Sequence, residues 1–109
     1  MKNVLRAFVS GIGVCLLAMA GSANGTQQEH QGAAAFREYC LACHPRGGNI
    51  FDPGKSLHGK DMAAHNIKTP EDIIRIIRNP GPLMTRFDEN AIPNRVAKDI
   101  ADYILENFK

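Results

Sequence analysis

The chain has 109 residues, 44% of them hydrophobic and 22% charged, with a formal net charge of +2. That length holds one small domain, of a size that usually needs a cofactor, metal or other staple beside its own apolar core. A charge this close to balance offers no basic arm or stripe of the kind nucleic-acid binding requires.

Lys2 and Arg6 precede an apolar run from Ala7 to Ala20, and the small residues around Ala18-Met19-Ala20 and Gly21-Ser22-Ala23 follow it. This order of charge, apolar run and small residues predicts a secretory signal peptide over 1–23, cleaved on export. The run is shorter than the roughly 20 residues of a spanning helix and is broken by Ser10, Gly11 and Gly13, so no stable membrane insertion is expected after cleavage. Cys15 keeps a lipid-anchored N-terminus as a minor alternative, although Val14 stands before it where such a signal prefers a small residue. Export to the periplasm is the expectation. Loss of Lys2 and Arg6 leaves 11 charges of each sign, and loss of Cys15 leaves no cysteine outside one motif, hence no disulfide framework.

Residues 24–31 are polar and read as a flexible leader, with the folded domain over 32–109. From about Gln31 the run of strong helix formers puts Ala33, Phe36 and Cys40 on one face, predicting a first helix that delivers the next segment. That segment is Cys40-Leu41-Ala42-Cys43-His44. Two thiols followed directly by an imidazole form the attachment pattern of a c-type haem. Each thiol can form a thioether to a vinyl group, and His44 then lies under the ring as an axial iron ligand. A zinc site would need two more ligands, and His58 and His65 are spaced wider than a finger pair. A thioredoxin-like dithiol would need strands alternating with helices, which the downstream sequence does not offer.

Residues 45–54 hold Pro45, Pro53 and three glycines, so regular structure breaks there. A short helix is expected around Lys60 to His65. Thr69-Pro70-Glu71-Asp72 then predicts a capped helix start, with Ile73, Ile74, Ile76 and Ile77 as its apolar face and Pro80 as its stop. Residues 79–87 form a proline-stiffened loop carrying Met84. The last helix begins near Pro93 or Asn94, with Val96, Ile100, Tyr103, Ile104 and Phe108 on its inner face.

These residues resemble a small single-haem class I cytochrome c of the c6 and c553 type. The likeness rests on Cys-x-x-Cys-His, on Gly47-Gly48-Asn49-Ile50, Pro53 and Lys55-Ser56-Leu57 after it, on Leu83-Met84, and on the terminal helix with Tyr103. It implies an all-α fold of three to four short helices around one covalently bound haem, with the N- and C-terminal helices crossing near Gly32, Phe36 and Ala101 to Tyr103. It also implies that the Pro53 carbonyl accepts a hydrogen bond from His44. Thr85 departs from the family pattern, which usually has proline after the ligand methionine.

Among the candidate residues, Cys40 and Cys43 hold the haem and His44 is one axial ligand. The residues alone leave Met62 and Met84 as sulfur candidates for the other side; the resemblance places the ligand at Met84. His58 and His65 match no ligand position of the family. Asn49, Lys55 and Arg86 are within sequence reach of haem propionates, while Tyr39, Phe51 and Phe87 read as packing aromatics. The expected function is one-electron transfer between redox partner proteins by a monomer, not enzymatic turnover. The alternatives are a haem sensor or peroxidase-like enzyme with a displaceable sixth ligand, or the haem module of a larger redox complex.

Overall fold

The structure, a computed structural model, describes Gly11, Gly13 and residues 24–109. The expected signal peptide and Cys15 lie outside the described residues. Among the described residues four α-helices follow in order, α1 (Asn24–Tyr39), α2 (Gly59–Ala64), α3 (Pro70–Arg78) and α4 (Asn94–Asn107). Two short 3-10 turns, Pro45–Gly47 and Pro53–Lys55, lie between α1 and α2. There is no strand among the described residues.

The first helix corrects one expectation. Residues 24–31, read from their polarity as a flexible leader, are the first two turns of α1. Polarity marked exposure and not disorder: residues 25–31 face outward. Gln28 donates to the Asp102 carboxylate at 3.3 Å and Gln31 accepts from Arg95 at 2.8 Å, so both reach across to α4. The apolar face starts at Gly32, and α1 crosses α4 there. A Cβ on Gly32 would run into the Asp99 carbonyl and lie 3.0 Å from Tyr103 Cβ, so only glycine lets the two backbones approach this closely. One turn on, Phe36 is 2% exposed and its ring lies 5.2 Å from Tyr103.

Small and large residues alternate along the buried seam of α4. Ala97, Ile100, Ala101 and Ile104 are all at 3% exposure or less, the alanines admitting neighbouring helices and the isoleucines filling the gaps. α3 packs on this seam through Ile73 and Ile77. Its start has the expected capping box: Thr69 Oγ1 accepts from the Asp72 N–H at 3.2 Å, and the Asp72 carboxylate accepts from the Thr69 and Lys68 N–H groups at 3.1 and 3.0 Å. Its end is held by Arg78, whose guanidinium donates to the carbonyls of Phe87 and Asp88 and to Asn94 Oδ1. That one side chain fastens the far end of the 79–93 connection to both α3 and α4.

Candidate functional site

The end of α1 unwinds at the double-cysteine motif. Cys40 N–H still closes a helical bond to Phe36 at 2.9 Å, after which the N–H groups of Cys43 and His44 both turn back to the Cys40 carbonyl, at 3.2 and 2.9 Å. This tight turn brings both thiols and the imidazole to the wall of one cavity of about 480 Å³, within the size range of small-molecule and cofactor sites. Ile73 and Ile77 from α3, Met62 from α2, Leu57 and Ile104 supply its apolar wall, and Met84 comes from the proline-rich loop.

Cys40 is buried, and burial, with the neighbouring Cys43 adding to it, pushes its thiol up to about 11. A reactive dithiol needs the opposite shift, toward thiolate. A neutral thioether, by contrast, fits this environment without penalty. No group of three or more His, Cys, Asp or Glu side chains suited to a metal ion occurs among the described residues, so the zinc alternative lacks its donor set.

His44 is 8% exposed, and its ring Nδ1 lies 2.7 Å from the Gly48 carbonyl. A carbonyl can only accept, so the proton sits on Nδ1 and Nε2 keeps its lone pair. No buried side-chain nitrogen or oxygen among the described residues lacks a partner. Nε2 makes no hydrogen bond and is not sealed off, and His44 lines the cavity, so this nitrogen would be the one to hold an iron. The partner itself corrects the sequence expectation: it is the Gly48 carbonyl and not that of Pro53, which lies in an exposed 3-10 turn. Positive φ at Arg46 (54°) and Gly47 (76°) curls the chain back at once, so a carbonyl only four residues on reaches the ring.

Both methionines reach the cavity. Met62 is 4% exposed and belongs to the packed core; Met84 is half-buried, in a loop segment outside the helices. Around the mouth, Asn49 is consumed by its own loop, donating to the Lys55 carbonyl at 3.1 Å and accepting from the Phe51 and Asp52 N–H groups at 3.0 and 2.9 Å. Lys55 lines the opening, whereas Arg86 does not, its Nε being used on the Arg78 carbonyl at 3.0 Å. Tyr39 and Phe87 pack edge to face with each other at 5.9 Å, away from the cavity, and Phe51, 56% exposed, stands at its wall. His65 lines the cavity too, with Nδ1 near the Asp61 carbonyl at 2.9 Å, while His58 packs against Phe108.

Sequence reasoning missed Gly48, the polar pair in which the buried Ser56 hydroxyl donates to Asp61 at 2.5 Å, and Arg75 at the rim. For Gly48 no side chain exists to give a signal. Arg75 gave none either, since two residues from both Ile73 and Ile77 it does not share their face, and its place in the cavity lining comes from the length of its side chain.

An apolar slot, two thiols at one edge and a singly available imidazole nitrogen fit a thioether-linked haem, and the comparisons with known proteins agree. The family model described as cytochrome C oxidase, cbb3-type, subunit III matches residues 27–104. The chain is 32% identical over 77 residues to cytochrome c6 of Cyanidium caldarium, covering 71% of this chain and 68% of that one. It is 36% identical over 63 residues to the chloroplastic cytochrome c6 of Arabidopsis thaliana, covering 58% of this chain but only 36% of that relative's length. Among solved structures, OmcF, an outer-membrane cytochrome of Geobacter sulfurreducens, superposes with a TM-score of 0.70 at 40% identity, covering 72% of this chain and 99% of that one. The chain belongs to this cytochrome family, as a small class I monohaem c-type cytochrome that is similar to cytochrome c6 and binds one haem c covalently.

Proposed function

We propose that the protein is a one-electron carrier, exported to the periplasm as a monomer over residues 24–109, whose haem is held by Cys40 and Cys43 and whose iron is ligated by His44 and Met84. Bound haem supplies a one-electron couple between ferric and ferrous iron. The chain's residues do the rest. Cys40 and Cys43 tether the edge of the group, and His44 presents Nε2 with its tautomer fixed by the Gly48 carbonyl. Met84, from the loop that also lines the cavity, would offer a thioether, a weak neutral donor that raises the potential relative to a second histidine.

The observation that carries this reading is that one apolar cavity gathers both thiols, His44 and Met84. Haem held by both His44 and Met84 would keep no iron position free for a substrate. Electrons then pass to and from partner proteins across the open mouth. The test is the absorption spectrum in both oxidation states together with carbon monoxide binding. A six-coordinate, low-spin ferric spectrum with a weak long-wavelength sulfur-to-iron band supports it; ready binding of carbon monoxide by the wild type sends the reading to a sensor or enzyme.

Two names among the relatives favour a second reading of its setting. The family model is described by an oxidase subunit, and OmcF by the outer membrane. Under that reading the chain is the haem module of a membrane-bound redox complex, anchored through a lipid on Cys15. Mass spectrometry of the processed N-terminus decides between them.

A further inference from the structure

Phe108 is tied to the turn that follows His44. Gly47 has a φ of 76°, and a Cβ placed on it would come within 2.6 Å of Phe108 Cδ1 and 2.7 Å of Cγ. The Phe108 ring therefore lies directly on the backbone of Gly47, occupying the space any side chain there would need. Three further bonds shape the same turn: Gly47 N–H to the His44 carbonyl at 3.1 Å, Gly48 N–H to the Pro45 carbonyl at 2.9 Å and Leu57 N–H to the Gly47 carbonyl at 2.7 Å. The product of this turn is the Gly48 carbonyl 2.7 Å from His44 Nδ1.

Phe108, partly buried, is held by several contacts of its own. Its N–H donates to the Ile104 carbonyl at 3.2 Å, and its carbonyl accepts from Gly59 N–H at 2.7 Å. Its ring meets Phe36 at 5.4 Å, Tyr103 at 5.9 Å and His58 at 6.0 Å. It is not among the residues that line the cavity, so it acts on the site indirectly, and the Gly47 turn is the path that ends on His44.

We propose that Phe108 is a positioning residue for His44: its ring, seated on Gly47, holds the turn whose Gly48 carbonyl receives the His44 Nδ1 proton, and thereby sets how basic the imidazole is toward iron. A carbonyl drawing on Nδ1–H raises the electron density at Nε2 and favours the ferric state, so a slackened turn weakens the ligand and raises the potential. The proposal rests on His44 being the proximal ligand.

The experiment compares Phe108→Ala, Phe108→Leu and, as a control for lost packing at the other end of α4, Val96→Ala, each as holoprotein. In the ferrous state the His44 Nδ1–H proton is followed by NMR, and the reduction potential is measured. In Phe108→Ala the proton is expected to exchange with solvent about tenfold faster, the effect of weakening one hydrogen bond. The potential rises with it. Phe108→Leu moves both in the same direction by less, and Val96→Ala moves neither. Wild-type exchange and potential in a folded Phe108→Ala overturn the proposal. If that variant fails to fold, the same unchanged values in Phe108→Leu overturn it. A wild-type protein whose His44 ring shows no haem-induced shifts overturns the ligand assignment instead, which separates the two failures.

Discussion

Gly32 lies flat against the Asp99 carbonyl, and this contact sets how deeply α1 and α4 cross. Glycine to alanine within a helix ordinarily gains about 0.5–1 kcal/mol from the narrower unfolded ensemble. At Gly32 the added methyl has backbone in its way, with Tyr103 Cβ on its other side. Gly32→Ala is therefore expected to lose about 1–3 kcal/mol, as overpacked sites do. Thermal unfolding of the holoprotein checks it: a raised midpoint would mean that the helices separate at little cost.

Met62 and Met84 line the same cavity but should fail in different ways. Met62 is 4% exposed, and its truncation is expected to cost about 2–5 kcal/mol of stability while leaving the sulfur-to-iron band in place. Met84→Ala should abolish that band, lower the potential and admit cyanide or carbon monoxide, with a smaller loss of stability. Spectra and denaturant midpoints of the two variants, taken side by side, separate ligand from filler. The reverse pattern would move the ligand to α2.

The start of α3 carries a pH dependence of known sign. The Lys68 N–H first, then the Arg75 guanidinium and the Thr69 N–H hold the Asp72 carboxyl well below the usual carboxylate range. A depressed folded value means that stability is present above the unfolded pKa of about 3.9 and is lost as pH falls below it. Asp72→Asn should lower the neutral-pH midpoint and shrink the drop between pH 5 and pH 2. Thr69→Ala, which removes the other half of the box, is expected to cost about 1 kcal/mol at neutral pH. Because Ile73 and Ile77 of this helix wall the cavity, the Soret band is a second readout of the same loss.

Covalent attachment makes a simple mass prediction. Denaturing intact mass spectrometry of protein matured with a cytochrome c assembly system should show the polypeptide plus one haem. Cys40→Ser with Cys43→Ser should lose it. The haemless chain is expected to show reduced helicity by circular dichroism, since α2, α3 and the Met84 loop face one another across a cavity that only a bound group fills.

Much of this architecture is legible in the sequence where local chemistry and global fold agree. Thr69, Pro70 and Asp72 announce α3 because capping is a matter of three neighbouring residues, and Pro80 ends it for an equally local reason. The cysteine motif is legible because attachment chemistry fixes its spacing. The beginning of α1 is not, because residues 24–31 are polar for solvent exposure and are ordered by bonds to Asp102 and Arg95 some seventy residues away. The hydrogen-bond partner of His44 escapes the sequence for a different reason. Any backbone carbonyl can serve, and which one does depends on the positive φ of Arg46 and Gly47, the first of which is not a glycine and gives no warning.

The Arg78 guanidinium, Arg86 Nε and the Phe87 N–H all pin the 86–88 end of the Met84 segment, and the Asn79 N–H closes its other end on the Arg75 carbonyl at 2.9 Å, yet between these ends the backbone from Gly81 to Thr85 makes a single backbone bond, Met84 N–H to the Gly81 carbonyl at 3.3 Å. The segment is thus a leash pinned at its two ends and slack in the middle. Amide protons of residues 83–85 are expected to exchange long before those of the α1 and α4 cores, through an excursion that leaves the rest of the molecule folded. The sulfur ligand proposed at Met84 is then held by these five residues of chain and not by the stability of the whole.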